Sequence, residues 1–184
     1  MADTPSEEVA SPPRRLTLAD LALLVASAAG GMVILRMLVE DRSESLLGRR
    51  IGGMTIGLIL APFLLTTSLA LVIARLRGPR PAFLAAIRQP GTLACIAFLA
   101  FFAIDLTSHA ASIAVGSWLG ESYVKINVWL FLFTAMNAGA YIAPAWATLA
   151  LAGRWRPEPG WIDRSGRVLG VVAMAVDLLA RILP

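Results

Sequence analysis

Apolar residues in this chain do not recur sparsely; they run together. Four stretches, at about 18–38, 52–74, 92–115 and 127–151, are almost free of charge. Each reaches the roughly 20 residues that carry a helix across about 30 Å of hydrocarbon, so the pattern predicts four transmembrane helices. Pro62 and Pro144 fall inside two of them, which membrane helices tolerate because neighbours re-satisfy the freed backbone groups. The first run opens Thr17-Leu18-Ala19-Asp20, a capping box in which Thr17 caps the helix and Asp20 reaches back to the cap. That gives Asp20 a structural role. The run continues past Ala26-Ser27-Ala28 to Leu38, further than a cleaved signal sequence requires, and is expected to stay as a helix.

The last stretch has a different pattern. From Val168 the apolar run lasts only to Val176 before Asp177 and Arg181 interrupt it. Leu169, Val172, Val176, Leu179 and Leu183 share one helical face, and Arg167, Gly170, Met174, Asp177 and Arg181 the other. Asp177 and Arg181 form a favourable i, i+4 pair. The spacing predicts an amphipathic helix lying in the membrane interface, or packed on a partner protein. Segment 83–89, between Pro81 and Pro90, is expected to be a shorter helix of the same kind. The expected architecture is all-α: a polar, disordered tail at 1–16, an integral membrane four-helix bundle at 17–152, and a C-terminal amphipathic interfacial helix at 153–184.

Composition agrees with this. The hydrophobic fraction is 58%, the charged fraction 15% and the mean hydropathy +0.74, against about 45–50% and about 25% for an ordinary globular domain. The net charge of +4 would suggest nucleic acid in a soluble protein. Here arginines flank the apolar runs, so anionic lipid headgroups are the simpler partner and no nucleic acid is expected. Positive residues mark the cytoplasmic side. Arg14, Arg15, Arg75, Arg77, Arg80, Arg88, Arg154, Arg156, Arg164, Arg167 and Arg181 fall on one side of a four-span arrangement, and Arg42, Arg49, Arg50 and Lys125 on the other. Both termini are therefore expected in the cytoplasm, with the chain multi-pass in the cell inner membrane. Trp118, Tyr123 and Trp129 at one end of the fourth run, and Trp155 and Trp161 at the other, suit the two interfaces.

Helices in lipid associate through close backbone approach and hydrogen bonds. Gly53, Gly57 and Ala61 make a small-residue ridge on the second run, and Ala135, Gly139 and Ala143 make one on the fourth. Each ridge is followed by a proline, which suggests that the chain is two copies of a two-helix hairpin. The ridges also suit docking on other membrane subunits or on a second copy.

The polar groups inside the runs are the candidate chemistry. Asp105, Ser108, His109 and Ser112 form one stripe on the third run, and Thr134, Asn137 and Tyr141 one on the fourth. A charged Asp at mid-membrane costs about 2.5–3.5 kcal/mol, so Asp105 must face the bundle, face water or hold a proton. Two readings stay open. One is a hydrogen-bonded clasp, Asp105 or His109 to Asn137. The other is a proton or ion pathway, with Asp105 titrating and His109 as relay. An intramembrane enzyme is the less favoured third reading and would need a second polar cluster facing Asp105: Ser, His and Asp on one helix stripe are not an attack geometry, and no G-x-S-x-G, H-E-x-x-H or P-loop pattern occurs. With one cysteine, Cys95, and one histidine, neither a disulfide nor a four-ligand zinc site is available within the chain. No cofactor is expected.

The opening Thr17-Leu18-Ala19-Asp20-Leu21 with its Ala-rich run resembles the start of many uncharacterised small bacterial multi-span inner-membrane proteins. The resemblance covers the first span and implies a location, not an activity. The expected role is a structural or accessory subunit of a membrane complex; the alternative is a proton- or ion-linked transporter or channel component using Asp105 and His109.

Overall fold

The computed structural model describes residues 16–40, 53–77, 83–118 and 128–182. The expected tail, the 41–52 and 119–127 connections and Leu183 lie outside the described residues. Among those described, all regular structure is helical: α1 (Leu18–Glu40), α2 (Gly53–Arg77), α3 (Phe83–Ile87), α4 (Pro90–Trp118), α5 (Val128–Leu151) and α6 (Trp161–Ile182). Among the described residues three stretches are long and apolar enough to cross a membrane, Leu18–Met37, Ile59–Arg77 and Pro90–Ser108. They overlap the first three expected spans. The fourth expected span is the 24-residue α5.

Local chemistry sets several helix ends. At α1, the Thr17 N–H donates to Asp20 Oδ2 at 3.1 Å and the Asp20 N–H donates to Thr17 Oγ1 at 3.2 Å, the expected capping box. Asp20 is only 1% exposed. Arg75 and Arg77 occupy the last turn of α2, where cations oppose the helix dipole favourably. α4 starts on Pro90, whose missing N–H is no loss at a first helical position. α5 closes with Gly153 at φ 63°. The Gly153 N–H donates to Ala150 O and the Arg154 N–H to Leu149 O, both at 3.0 Å, the paired carbonyl capping of a Schellman motif.

α2, α4, α5 and α6 pack against one another, and α1 packs along α2 from outside. The core joins Leu64 and Leu71 of α2, Ala94, Cys95 and Phe98 of α4, Ala138 and Ile142 of α5, and Ile162, Leu169 and Ala173 of α6. This departs from the expected bundle of the first four runs. The helix expected at the interface supplies the fourth member of the core, while the first run stays outside it. Leu18, Leu21, Val25, Met32, Val33 and Met37 on α1 are all exposed.

The buried face of α6 also differs from the expected one. Its buried residues are Ile162, Asp163, Gly166, Leu169, Gly170, Ala173, Val176 and Asp177. Leu169 and Val176 point inward as expected, but so do Gly170 and Asp177 from the supposed polar face. Val172 and Leu179 are exposed, together with Val168, Val171, Leu178 and Ile182. Small and polar residues thus share the inner face with Ile162, Leu169 and Val176, while several bulky apolar ones face outward. Water-soluble amphipathic helices do the reverse. A helix associating with others in lipid turns its small residues inward.

Register follows from the closest approaches. Gly91 of α4 lies against Asp163 and Gly166 of α6, and Ala94 against Gly170, so α4 and α6 run parallel. Trp146 of α5 meets Gly170 and Gly139 meets Asp177, so α5 and α6 run antiparallel. The end of α2, the starts of α4 and α6 and the end of α5 therefore gather at one end of the bundle.

Candidate functional site

That end is held by a polar clasp centred on Asp163. The side chain is 1% exposed. Its Oδ1 accepts the Gly91 N–H at 2.7 Å, and Oδ2 accepts the Glu158 N–H at 3.1 Å. Gly91 lies in the first turn of α4, where backbone N–H groups have no partner within the helix. Asp163 also lies in the first turn of its own helix. One carboxylate thus faces the positive ends of two parallel helices. Arg167 approaches Oδ2 at 3.3 Å as an i, i+4 ion pair.

The neighbours complete the clasp. Trp146 Nε1 donates to Pro90 O at 2.8 Å, tying α5 to the start of α4. Trp155 packs edge-on against Trp146, with ring centroids 5.7 Å apart. Arg75 at the end of α2 pairs with Glu158 at 2.9 Å, and the Arg156 N–H donates to Arg88 O at 3.4 Å. Beneath lies a void lined by Leu71, Val72, Gly91, Thr92, Cys95 and Ile162, too tight for a water molecule.

The helices approach this closely because glycine lies on both sides. A Cβ on Gly91 would overlap the Asp163 carbonyl oxygen, and one on Gly166 would overlap the Gly91 carbonyl. Near the other end of α6, a Cβ on Gly139 would lie 2.7 Å from Asp177 Oδ2. Asp177, largely buried there, accepts from Arg181 Nε at 2.8 Å, the expected i, i+4 pair.

The polar stripes read from the sequence are placed as follows. Asp105 and Asn137 are half-buried, and Ser108 is exposed. Tyr141 is 47% exposed and stacks on Phe101 with centroids 3.8 Å apart. The side chains of His109 and Ser112 lie outside the described set. Asp105 continues the inner face of α4 marked by the buried Ala94, Phe98 and Phe101. It also shares a level with the α6 ion pair: Ala94 lies against Gly170, and residues 105 and 181 each stand eleven positions further along these parallel helices. Of the ridges, Gly57, Ala61 and Gly139 are buried and Ala143 is exposed; Gly53 and Ala135 lie outside the described side chains. Gly139 packs on α6. Ala61-Pro62 is buried whereas Ala143-Pro144 is exposed, so the residues matched in the suggested repeat have unequal surroundings.

Sequence reading missed the Asp163 clasp. Its partners Gly91 and Asp163 are 72 residues apart, and no local pattern joins them. A signal was present in Gly166-x-x-x-Gly170, the same small-residue spacing that marks α2. Among the described residues no group of three or more His, Cys, Asp or Glu is placed to hold a metal ion. Comparison with known proteins finds no matching family model, no matching curated protein and no matching solved structure.

Proposed function

We propose that this chain is a multi-span membrane protein with a structural role, an accessory subunit that packs laterally against other subunits of a membrane complex. The observation that carries this reading is where the polar groups go. Asp163, Trp146, and Arg75 with Glu158 hold one part of the chain against another, and Asp177 pairs with Arg181 within α6. The void beside the clasp has no room for water. The outer face of α1 remains broad and apolar, with Leu18 86% exposed, a surface that lipid or a neighbouring span covers.

In this reading α6 is a fifth membrane helix. A helix packed lengthwise among α2, α4 and α5 shares their depth, and its 22 residues rise about 33 Å at 1.5 Å per residue. The outward valines and leucines then meet lipid, and Asp177 lies on the inner side with the more exposed Arg181 paired to it. Five crossings put the termini on opposite sides. The end carrying Arg75, Arg88, Arg154, Arg156, Arg164 and Arg167 is cytoplasmic by the positive-inside rule, and the membrane is the cell inner membrane.

Extraction in mild detergent followed by sizing tests the role. The chain is expected to migrate with a partner in fixed stoichiometry. Migration alone, combined with ion or proton flux in liposomes that Asp105→Asn abolishes, contradicts it. That second result is the outcome of the transporter reading, which the shared level of Asp105 and the Asp177–Arg181 pair favours.

A further inference from the structure

We infer that the outer face of α6 binds an anionic phospholipid, its phosphate at Arg164 and Arg167 and an acyl chain along Val168, Val171 and Val172. These five residues line an open groove of about 440 Å³. They recur at i, i+3, i+4, i+7 and i+8, one continuous stripe of a helix. The stripe changes character once, from two guanidinium groups to three branched apolar side chains, over about 12 Å of helix. A phospholipid has the same division along its length.

Two further features select this occupant. The change falls at the right depth: the arginine turn lies beside Gly91, and the valines follow beside Ala94 and beyond, where the apolar stretch Pro90–Ser108 begins. Trp146, Trp155 and Trp161 gather at the same level, as side chains do at a headgroup layer. The charge is also uncompensated. At this end Glu158 is paired with Arg75 and Asp163 with Arg167, which leaves Arg164 exposed and without an ion-pair partner among the described residues. Arg167 turns Nε inward to Asp163 Oδ2 at 3.3 Å, while its side chain stays 35% exposed. A headgroup phosphate presents acceptors that a guanidinium fork matches.

The inference rests on the reading of α6 as a membrane helix. The test uses the full-length chain in a neutral detergent, titrated with phosphatidylglycerol or phosphatidylcholine and followed by native mass spectrometry. Phosphatidylglycerol is expected to bind more tightly than phosphatidylcholine, and Arg164→Gln to weaken it about fivefold, the contribution of one arginine at a membrane surface, with phosphatidylcholine binding unchanged. Arg164 is exposed, so the variant is expected to keep its unfolding midpoint. Equal phosphatidylglycerol affinity in both proteins overturns the site. So does displacement of the lipid by inorganic phosphate at equal concentration, which would mark a free-anion site. Alkaline carbonate extraction separates the two levels: a chain released from membranes overturns the membrane reading itself, whereas a chain that stays and ignores Arg164→Gln loses only the lipid site.

Discussion

Replacing Gly166 by valine is expected to lower stability by about 3 kcal/mol, at the upper end of the usual cost of overpacking. Even a single Cβ there would overlap the Gly91 carbonyl. Backbone cannot swing aside as the end of a flexible side chain can, so α6 must tilt or move away from α4. Separation also breaks the Asp163–Gly91 hydrogen bond. The measurement is unfolding of the purified chain in detergent, with a cysteine cross-link between α4 and α6 as reporter of their approach. Val171→Ala is the control: Val171 is exposed on the opposite face, and its truncation is expected to change stability by less than about 0.5 kcal/mol.

Asp163→Leu is expected to cost about the same, roughly 3 kcal/mol, by a different route. It strands the Gly91 and Glu158 N–H groups and removes the partner of Arg167. Leaving buried donors unsatisfied costs about 1–3 kcal/mol, and breaking a buried pair about 3–5 kcal/mol; Arg167 is partly exposed and regains water, which holds the total to the lower part of that range. Asp163→Asn is expected to lose less, because the amide oxygen still accepts the Gly91 N–H. Both variants are read by unfolding of the purified chain in detergent.

These two residues mark where sequence reading succeeded and where it ended. Helix positions were legible because unbroken apolar runs carry their own length criterion, and three of the four expected spans recur as long apolar helices. The Thr17–Asp20 box and the Asp177–Arg181 pair were legible because each lies within four residues along one helix. The place of α6 was not. Its apolar run is short, and the rule that bulky apolar residues face inward selects Leu169 and Val176, which are buried, but also Val172 and Leu179, which the structure leaves exposed. The inner face adds Gly166, Gly170 and Ala173, residues that carry almost no hydrophobic signal and matter because they let backbones touch. Asp163 lies in the first turn of α6, and its role there depends on Gly91, 72 residues away. The Asp105 stripe was legible as polar, and the structure adds the level at which Arg181 stands across the bundle.

The sidedness of the two termini tests directly whether α6 belongs to the membrane bundle. Single cysteines placed at Leu16 and at Ile182 of the full-length chain, each in a background with Cys95 replaced by serine, can be labelled in sealed inner-membrane vesicles with a reagent that does not cross lipid. Five crossings predict that one position is labelled from outside and the other only after the vesicles are opened. Labelling of both positions from the same side would contradict the account and return α6 to the membrane surface.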